Sequence, residues 1–340
     1  MKYNTGAMPI VLLVIFGVIV VAAGGYSYQK NLGNISDKLN SAFSLSTPED
    51  PSEITARAFE SLSKARSFHL DSEISGVTKK KTGLNESTLK QKTTNTSTML
   101  MRFNGVVNVP QLEFDGSFMV ETSGATSYKF TLQAKKVAST TYFNLSESPK
   151  ELSLLTNQWI GINGAEIKKR YGNTQIVEKV EKFDRAKMVD LFTKARALKI
   201  FKVTQEFPEE KIGETLTRHF RFTFDTQVLE KLIEGNPDSG QKPLDTEREA
   251  RLRALSAKID DYTKEVWIGK DDLMPYKLSI VYVGKVPPSE IDAPLVATFF
   301  FDAFNESVSI EKPVSSKTLE ETLQAISLKL FPSATIKAKR

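Results

Sequence analysis

From Val109 to Thr122 the chain alternates. Leu112, Phe114, Gly116, Phe118 and Val120 fall on one side, and Glu113, Asp115, Ser117, Met119 and Glu121 on the other. A period of two predicts a strand with one buried face. The same pattern recurs at 68–77, at 99–109 with Met99, Met101, Phe103, Val107 and Val109 on one side, at 128–137 and at 140–147. A Trp-containing segment, 157–164, closes this block. Further strands are expected at 200–207 and at 215–225, where Phe220, Phe222 and Phe224 share a side. The segment "PEEKIGE" is expected to turn between these two at Gly213. A hairpin over 262–284 turns at Lys270-Asp271-Asp272, and a last strand covers 295–305.

Three segments switch to helical spacing. In "SEITARAFESLSKARS" the apolar positions are Ile54, Ala58, Leu62 and Ala65, with Ser52 placed to cap the start. In 183–198 they are Phe183, Met188, Leu191, Phe192 and Ala195. In 316–331 they are Leu319, Leu323, Ile326 and Leu330, a face expected to pack back on the body. Residues 226–260 read as a charged helical excursion broken at 234–243. Strands in consecutive runs, with helices between the runs and not one per strand, mean α+β. The expected architecture is one large curved antiparallel sheet with helices on its concave side.

The N-terminus sets the compartment. Residues 8–26 carry no charge, and a helix of that length reaches about 30 Å, the thickness of a hydrocarbon core. The expectation is a single transmembrane anchor after a seven-residue cytoplasmic tail (1–7), with cleavage after Val21-Ala22-Ala23 as the other reading. A polar stalk then spans 27–52, a folded domain 53–313, and a C-terminal helix with a basic tail 314–340. The body is expected outside the cytoplasmic membrane, since the short leading tail favours an inside N-terminus.

Composition removes several chemistries. There is no cysteine, so disulfides, thiol catalysis, thiolate metal sites and an acylated N-terminal cysteine are excluded. The only imidazoles are His69 and His219, each read as a structural polar residue. No nucleophile elbow, phosphate-binding loop, zinc-protease motif or dinucleotide fingerprint occurs. Asp271-Asp272 reads as turn chemistry, because adjacent side chains in a turn diverge. The net charge of +5 is spread along the chain, without the dense basic stripe that nucleic acid requires. No enzyme activity, cofactor or metal is expected. The membrane is the expected partner.

Several stretches together resemble a known family. "SLSKARSFHLDSEISG" runs from a helix into a first strand at a Ser-rich junction. "TTYFNLSE" is followed by "NQWIGI", then by "GETLTRHFRFTFD", and then by "KEVWIGKDDLMPYKLSIVYV" with its Trp, acidic turn, Pro and return strand. "LVATFFFDAFNESVSIEKP" closes the order. Over residues 53–313 this is similar to the lipoprotein-carrier (LolA-like) superfamily, and within it to mycobacterial lipoproteins of the LppX/LprG type. The resemblance implies an unclosed half-barrel wrapped around helices, an apolar cavity for acyl chains, and a part in carrying lipids or lipoproteins. Two departures are the missing acylated cysteine, replaced by the anchor, and the charged excursion at 234–260. The candidate cavity lining is Met99, Met101, Phe103, Leu112, Phe114, Phe118, Phe130, Leu132, Phe220, Phe222, Phe299 and Phe301. The other reading is a ligand-free envelope structural or interaction module, in which the same side chains pack on the helices.

Overall fold

Strand pairing dominates the computed structural model, which describes residues 49–80, 95–111, 113–124, 127–147, 153, 155–163, 185–228, 261–282 and 295–330. The expected anchor, most of the stalk and the excursion at 234–260 lie outside these residues. Among the described residues, no helix is long and apolar enough to cross a membrane. The chain divides into two compact units: Met1–Lys64 with Asp184–Val283, and Ala65–Phe183 with Gly284–Arg340.

The first unit carries helix α1 (Pro51–Lys64), helix α2 (Arg185–Ala197) and strands β7 (Phe201–Ile212), β8 (Thr215–Phe224), β9 (Tyr262–Gly269) and β10 (Pro275–Tyr282). The strands pair antiparallel in the order β10-β9-β8-β7. The helix cap differs from expectation. Asp50 receives the Ser52 N–H on its carboxylate at 2.9 Å, with Pro51 at the first helical position. Ser52 turns its hydroxyl oxygen outward to accept the Val203 N–H at 3.0 Å.

Between β7 and β8 the expected turn shrinks to Gly213-Glu214. A register shift between Phe207 and Glu210 lets β7 absorb residues 208–212, and Gly213 takes the left-handed φ of 58° that the tight reversal demands. The hairpin turn at 270–273 follows expectation. Asp272 accepts the Met274 N–H at 3.0 Å and the Tyr276 hydroxyl at 2.8 Å.

The core of this unit lies between the helices and one sheet face. Phe59 of α1 stacks on Phe201 with ring centroids 5.1 Å apart, and meets Phe222 at 5.7 Å and Phe192 of α2 at 6.3 Å. Phe220 and Phe222 are 0% and 4% exposed. Each such ring contributes roughly 1.5–3 kcal/mol by leaving water. The two helices are joined by charge. Glu60, 6% exposed, accepts from Lys64 at 2.5 Å, Thr193 at 3.2 Å and Arg196 at 3.0 Å, while Arg196 also donates to Glu53 at 2.6 Å.

The second unit holds β1 (Ser67–Lys80), β2 (Asn95–Asn108), β3 (Glu113–Ser123), β4 (Tyr128–Val137), β5 (Thr140–Glu147), β6 (Trp159–Asn163), β11 (Leu295–Asp302), the short β12 (Lys317–Thr318) and helix α3 (Leu319–Leu330). The strand order is β12-β6-β5-β4-β3-β2-β1-β11, antiparallel throughout except for β12 on β6. Each unit is thus built on an open, mostly antiparallel run of strands with few helices. A meander of this kind follows from short links between alternating segments. Thr318 and Glu321 cap α3 reciprocally: the Glu321 N–H reaches the Thr318 hydroxyl at 3.1 Å, and the Thr318 N–H reaches the Glu321 carboxylate at 2.7 Å. The expected packing of α3 is met only in part. Thr322 is buried where the helix meets β6 and β12, but Leu323 is 51% exposed.

Candidate functional site

Side chains directly opposite in an antiparallel ladder share a face. In the second unit this rule resolves the candidate residues at once. One row runs Phe299, Ser72, Phe103, Phe118, Leu132, Leu145. The next runs Ala297, Ile74, Met101, Val120, Phe130. On the same face, from the first row toward the opposite strand ends, lie Phe301, Leu70, Gly105, Gly116, Ala134, Phe143, Ile160 and then Phe68, Val107, Phe114, Lys136, Thr141, Ile162. The outermost row is Leu295, Gly76, Met99, Thr122, Tyr128. Nine predicted residues therefore lie on one face of one unit: Met99, Met101, Phe103, Phe114, Phe118, Phe130, Leu132, Phe299 and Phe301. Leu112 lies outside the described residues.

The face is apolar yet incompletely covered. Phe299 and Phe301 are buried, whereas Met99, Met101, Phe103, Phe114, Phe118, Phe130 and Leu132 stay half-buried. The sole described helix of this unit, α3, touches the β6 and β12 edge. The expectation that helices back the whole apolar face is met in the first unit and not here, among the described residues.

Two predicted residues belong elsewhere. Phe220 and Phe222 lie in the first unit and are buried core, Phe222 against Phe59. Their alternation matches that of Phe118, but period two reports which side is apolar, not what covers it.

Close packing marks the middle of the open face. Gly105 and Gly116 pair directly, and a Cβ on Gly105 would stand 2.6 Å from the Gly116 Cα. The Phe103 ring spreads over this bare pair and meets Phe118 with centroids 4.6 Å apart. The rings thus supply the side-chain layer that the glycines lack. The opposite face is polar, with Arg102 on Glu73 at 2.9 Å, Lys135 on Asp115 at 2.6 Å and Lys129 on Glu147 at 3.2 Å. Such exposed pairs contribute about 0–1 kcal/mol each, so they set which side faces water more than they hold the sheet.

Sequence reading missed Phe143, Leu145 and Ile160, although "TTYFNLSE" carries the same alternation. It also missed Lys136, the one charged residue on the apolar face among the described side chains of β1 to β6 and β11. Burial pushes the Lys136 ammonium below the usual lysine range, and the Glu113 charge opposes that shift.

Neither histidine builds a catalytic constellation. His69 lies 3.0 Å from Asp302 on the polar face. His219 is stacked between Phe207 and Trp267, with centroids at 4.2 and 4.0 Å, and stands 3.3 Å from Glu210 and 3.4 Å from Glu265. Trp267 donates its indole N–H to Glu210, and Lys277 lies 3.9 Å over the Trp267 ring. Burial holds His219 below the usual imidazole range despite the two carboxylates. Among the described residues, no group of three or more His, Cys, Asp or Glu is placed to hold a metal ion.

No protein-family model and no curated protein matches the chain. Among solved structures it is similar to the crystal structure of the Mycobacterium tuberculosis lipoprotein LppX. The TM-score is 0.33 and the identity 14%, over 77% of this chain and all of that one. A likeness at that level carries neither fold nor function from one chain to the other. The candidate site therefore stands on its own geometry: an apolar face, half-covered, backed by a polar one.

Proposed function

We propose that the second unit binds the acyl chain of a lipid or of an acylated protein on its apolar face. In this reading residues 8–26 tether the protein to the cytoplasmic membrane with the body outside, and it serves lipid or lipoprotein transfer or upkeep of the envelope. One observation supports the reading: Met99, Met101, Phe103, Phe118, Phe130 and Leu132 form a contiguous apolar surface yet remain half-buried. Water against such a surface is costly at about 25 cal/mol per Å2, and a contiguous patch of it marks a binding site more often than scattered apolar residues do. Methionine and phenylalanine together make a wall that adapts to a flexible chain.

Along β4 the face runs from Lys136 to Tyr128, eight residues or about 26 Å. An acyl chain that fills one leaflet spans about 15 Å, half the hydrocarbon core, so the strip is long enough to hold one lying along the strands. The first unit supplies the contrast, a packed face in which Phe222 lies against Phe59 of α1 and Phe220 is fully buried. A purely structural module would have the second face filled in the same way. No residue is assigned a catalytic role.

The test is native mass spectrometry of the full chain released from detergent, with solvent extraction and identification of bound lipids. The expected result is an acyl species carried with the protein, or taken up when palmitate is added. A chain that carries none and takes up none contradicts the proposal.

A further inference from the structure

Lys136 is out of place on an apolar face. It stands in register between Phe114 and Thr141, one row beyond the small residues Gly105, Gly116 and Ala134. Its immediate neighbour Lys135 points to the polar side and pairs there with Asp115 at 2.6 Å. The ammonium of Lys136 has no carboxylate on its own face among the described side chains. Glu113, whose charge it senses, lies on the opposite side of the sheet by register and accepts the Ala138 N–H at 3.0 Å. A half-buried cation beside a strip of rings and thioethers, compensated only in part by Glu113 across the sheet, gains from an anion brought to it on its own face.

We propose that Lys136 is the head-group anchor of this face, and that the occupant is a single-chain amphiphile with an anionic head, its carboxylate or phosphate on the Lys136 ammonium and its chain running along the strands, across the Phe103, Phe118 and Leu132 row and beyond. The inference rests on the acyl-binding reading above and adds to it a ligand class and a direction. Position supports both. Lys136 lies one residue before the end of β4, so a head group bound there is at one rim of the face, while the Met101–Phe130 and Met99–Tyr128 rows lie further along the strands toward the opposite rim. The Thr141 hydroxyl, directly opposite Lys136 in the ladder, is a second donor about 5 Å away at the Cβ.

The test compares amphiphiles that differ only in the head. The full chain, freed of lipid, is loaded with Nile red, and palmitate, 1-hexadecanol and acetate are titrated against it at pH 7. Wild type is expected to prefer palmitate over hexadecanol by about tenfold, the value of one charge-assisted contact. K136M is expected to erase that preference, K136R to retain it, and K135M, on the polar side, to change nothing. A palmitate preference that survives K136M overturns the anchor and leaves the acyl-binding reading standing. Acetate competing as well as palmitate overturns the amphiphile in favour of a free-anion site. Failure of both palmitate and hexadecanol to displace the dye overturns the anchor and the acyl-binding reading together.

Discussion

The Phe103 ring meets Phe118 with centroids 4.6 Å apart, above the directly paired glycines 105 and 116. The two glycines differ in what a methyl group would strike. At Gly105 it would reach the Asp115 carbonyl oxygen at 2.5 Å and the Gly116 Cα at 2.6 Å, which are backbone. At Gly116 it would reach the Phe103 ring at 2.5 Å, which can move. G105A should therefore lower stability by about 1–3 kcal/mol, as overpacking does, and G116A by less. Adding F103L should restore G116A in urea unfolding but not G105A; equal recovery of both would show that the ring is not the obstacle.

Phe222 and Phe118 have the same chemistry in different surroundings. F222A should cost about 3–5 kcal/mol, because Phe222 is 4% exposed beneath Phe59. F118A should cost less stability, since Phe118 is half-buried, and should instead weaken palmitate uptake. Thermal melts and dye displacement on the two variants separate a core position from a binding one. The account fails if F222A weakens uptake without unfolding and F118A unfolds without affecting uptake.

Glu60 ties α1 to α2 through Arg196. Removing the arginine leaves a carboxylate that is 6% exposed with only Lys64 and Thr193. Because Arg196 is itself partly exposed, R196M should cost about 1–3 kcal/mol, below the figure for a fully buried pair. The double variant E60Q/R196M should be more stable than R196M alone, as read by chemical denaturation.

Acid should destabilise the first unit in two steps. Burial alone would raise the Glu60 carboxyl, but the hydrogen bonds and charges of Lys64 and Arg196 hold it below its ordinary 4.5. A depressed carboxylate stabilises the fold above its unfolded value and loses that contribution as pH falls through the folded one, so this step lies below pH 4.5. His219, depressed chiefly by burial, takes up a proton in the unfolded chain first, so its contribution falls as pH drops below its ordinary 6.5. H219F, which keeps a ring between Phe207 and Trp267, should flatten the upper step, and E60Q the lower. Unchanged pH profiles of stability in both variants would refute the assignment.

Much of this was legible in the sequence for one physical reason. Alternation fixes side-chain direction, so Phe114 and Phe118 could be separated from Asp115 and Met119 before any pairing was known. The strands at 128–137 and 140–147 appear with the bounds the pattern gives. Long-range facts were hidden. The Arg196–Glu60 contact joins positions 136 apart, which no local period encodes. Nor does a period say that Phe222 is covered by a helix while Phe118 is half-open, so the two fall into one lining. Lys136 was passed over because a charge in an alternating strand is assigned to the solvent side. The helix cap was readable: Asp50 before Pro51 is the stronger start signal than Ser52, because proline favours the first helical position.

The central claim is that an acyl chain lies on one face of the second unit, and adjacent residues can test it. Phe118 and Met119 are neighbours in β3 that point to opposite sides, as are Met101 and Arg102 in β2. The full chain should be photolysed with a palmitate analogue bearing a diazirine along its chain, and the adducts mapped by tandem mass spectrometry. The account predicts adducts on Met101, Phe118 and Phe130, with Arg102 and Met119 unlabelled. Labelling spread equally over Phe118 and Met119, or concentrated on Phe220 and Phe222, would contradict it.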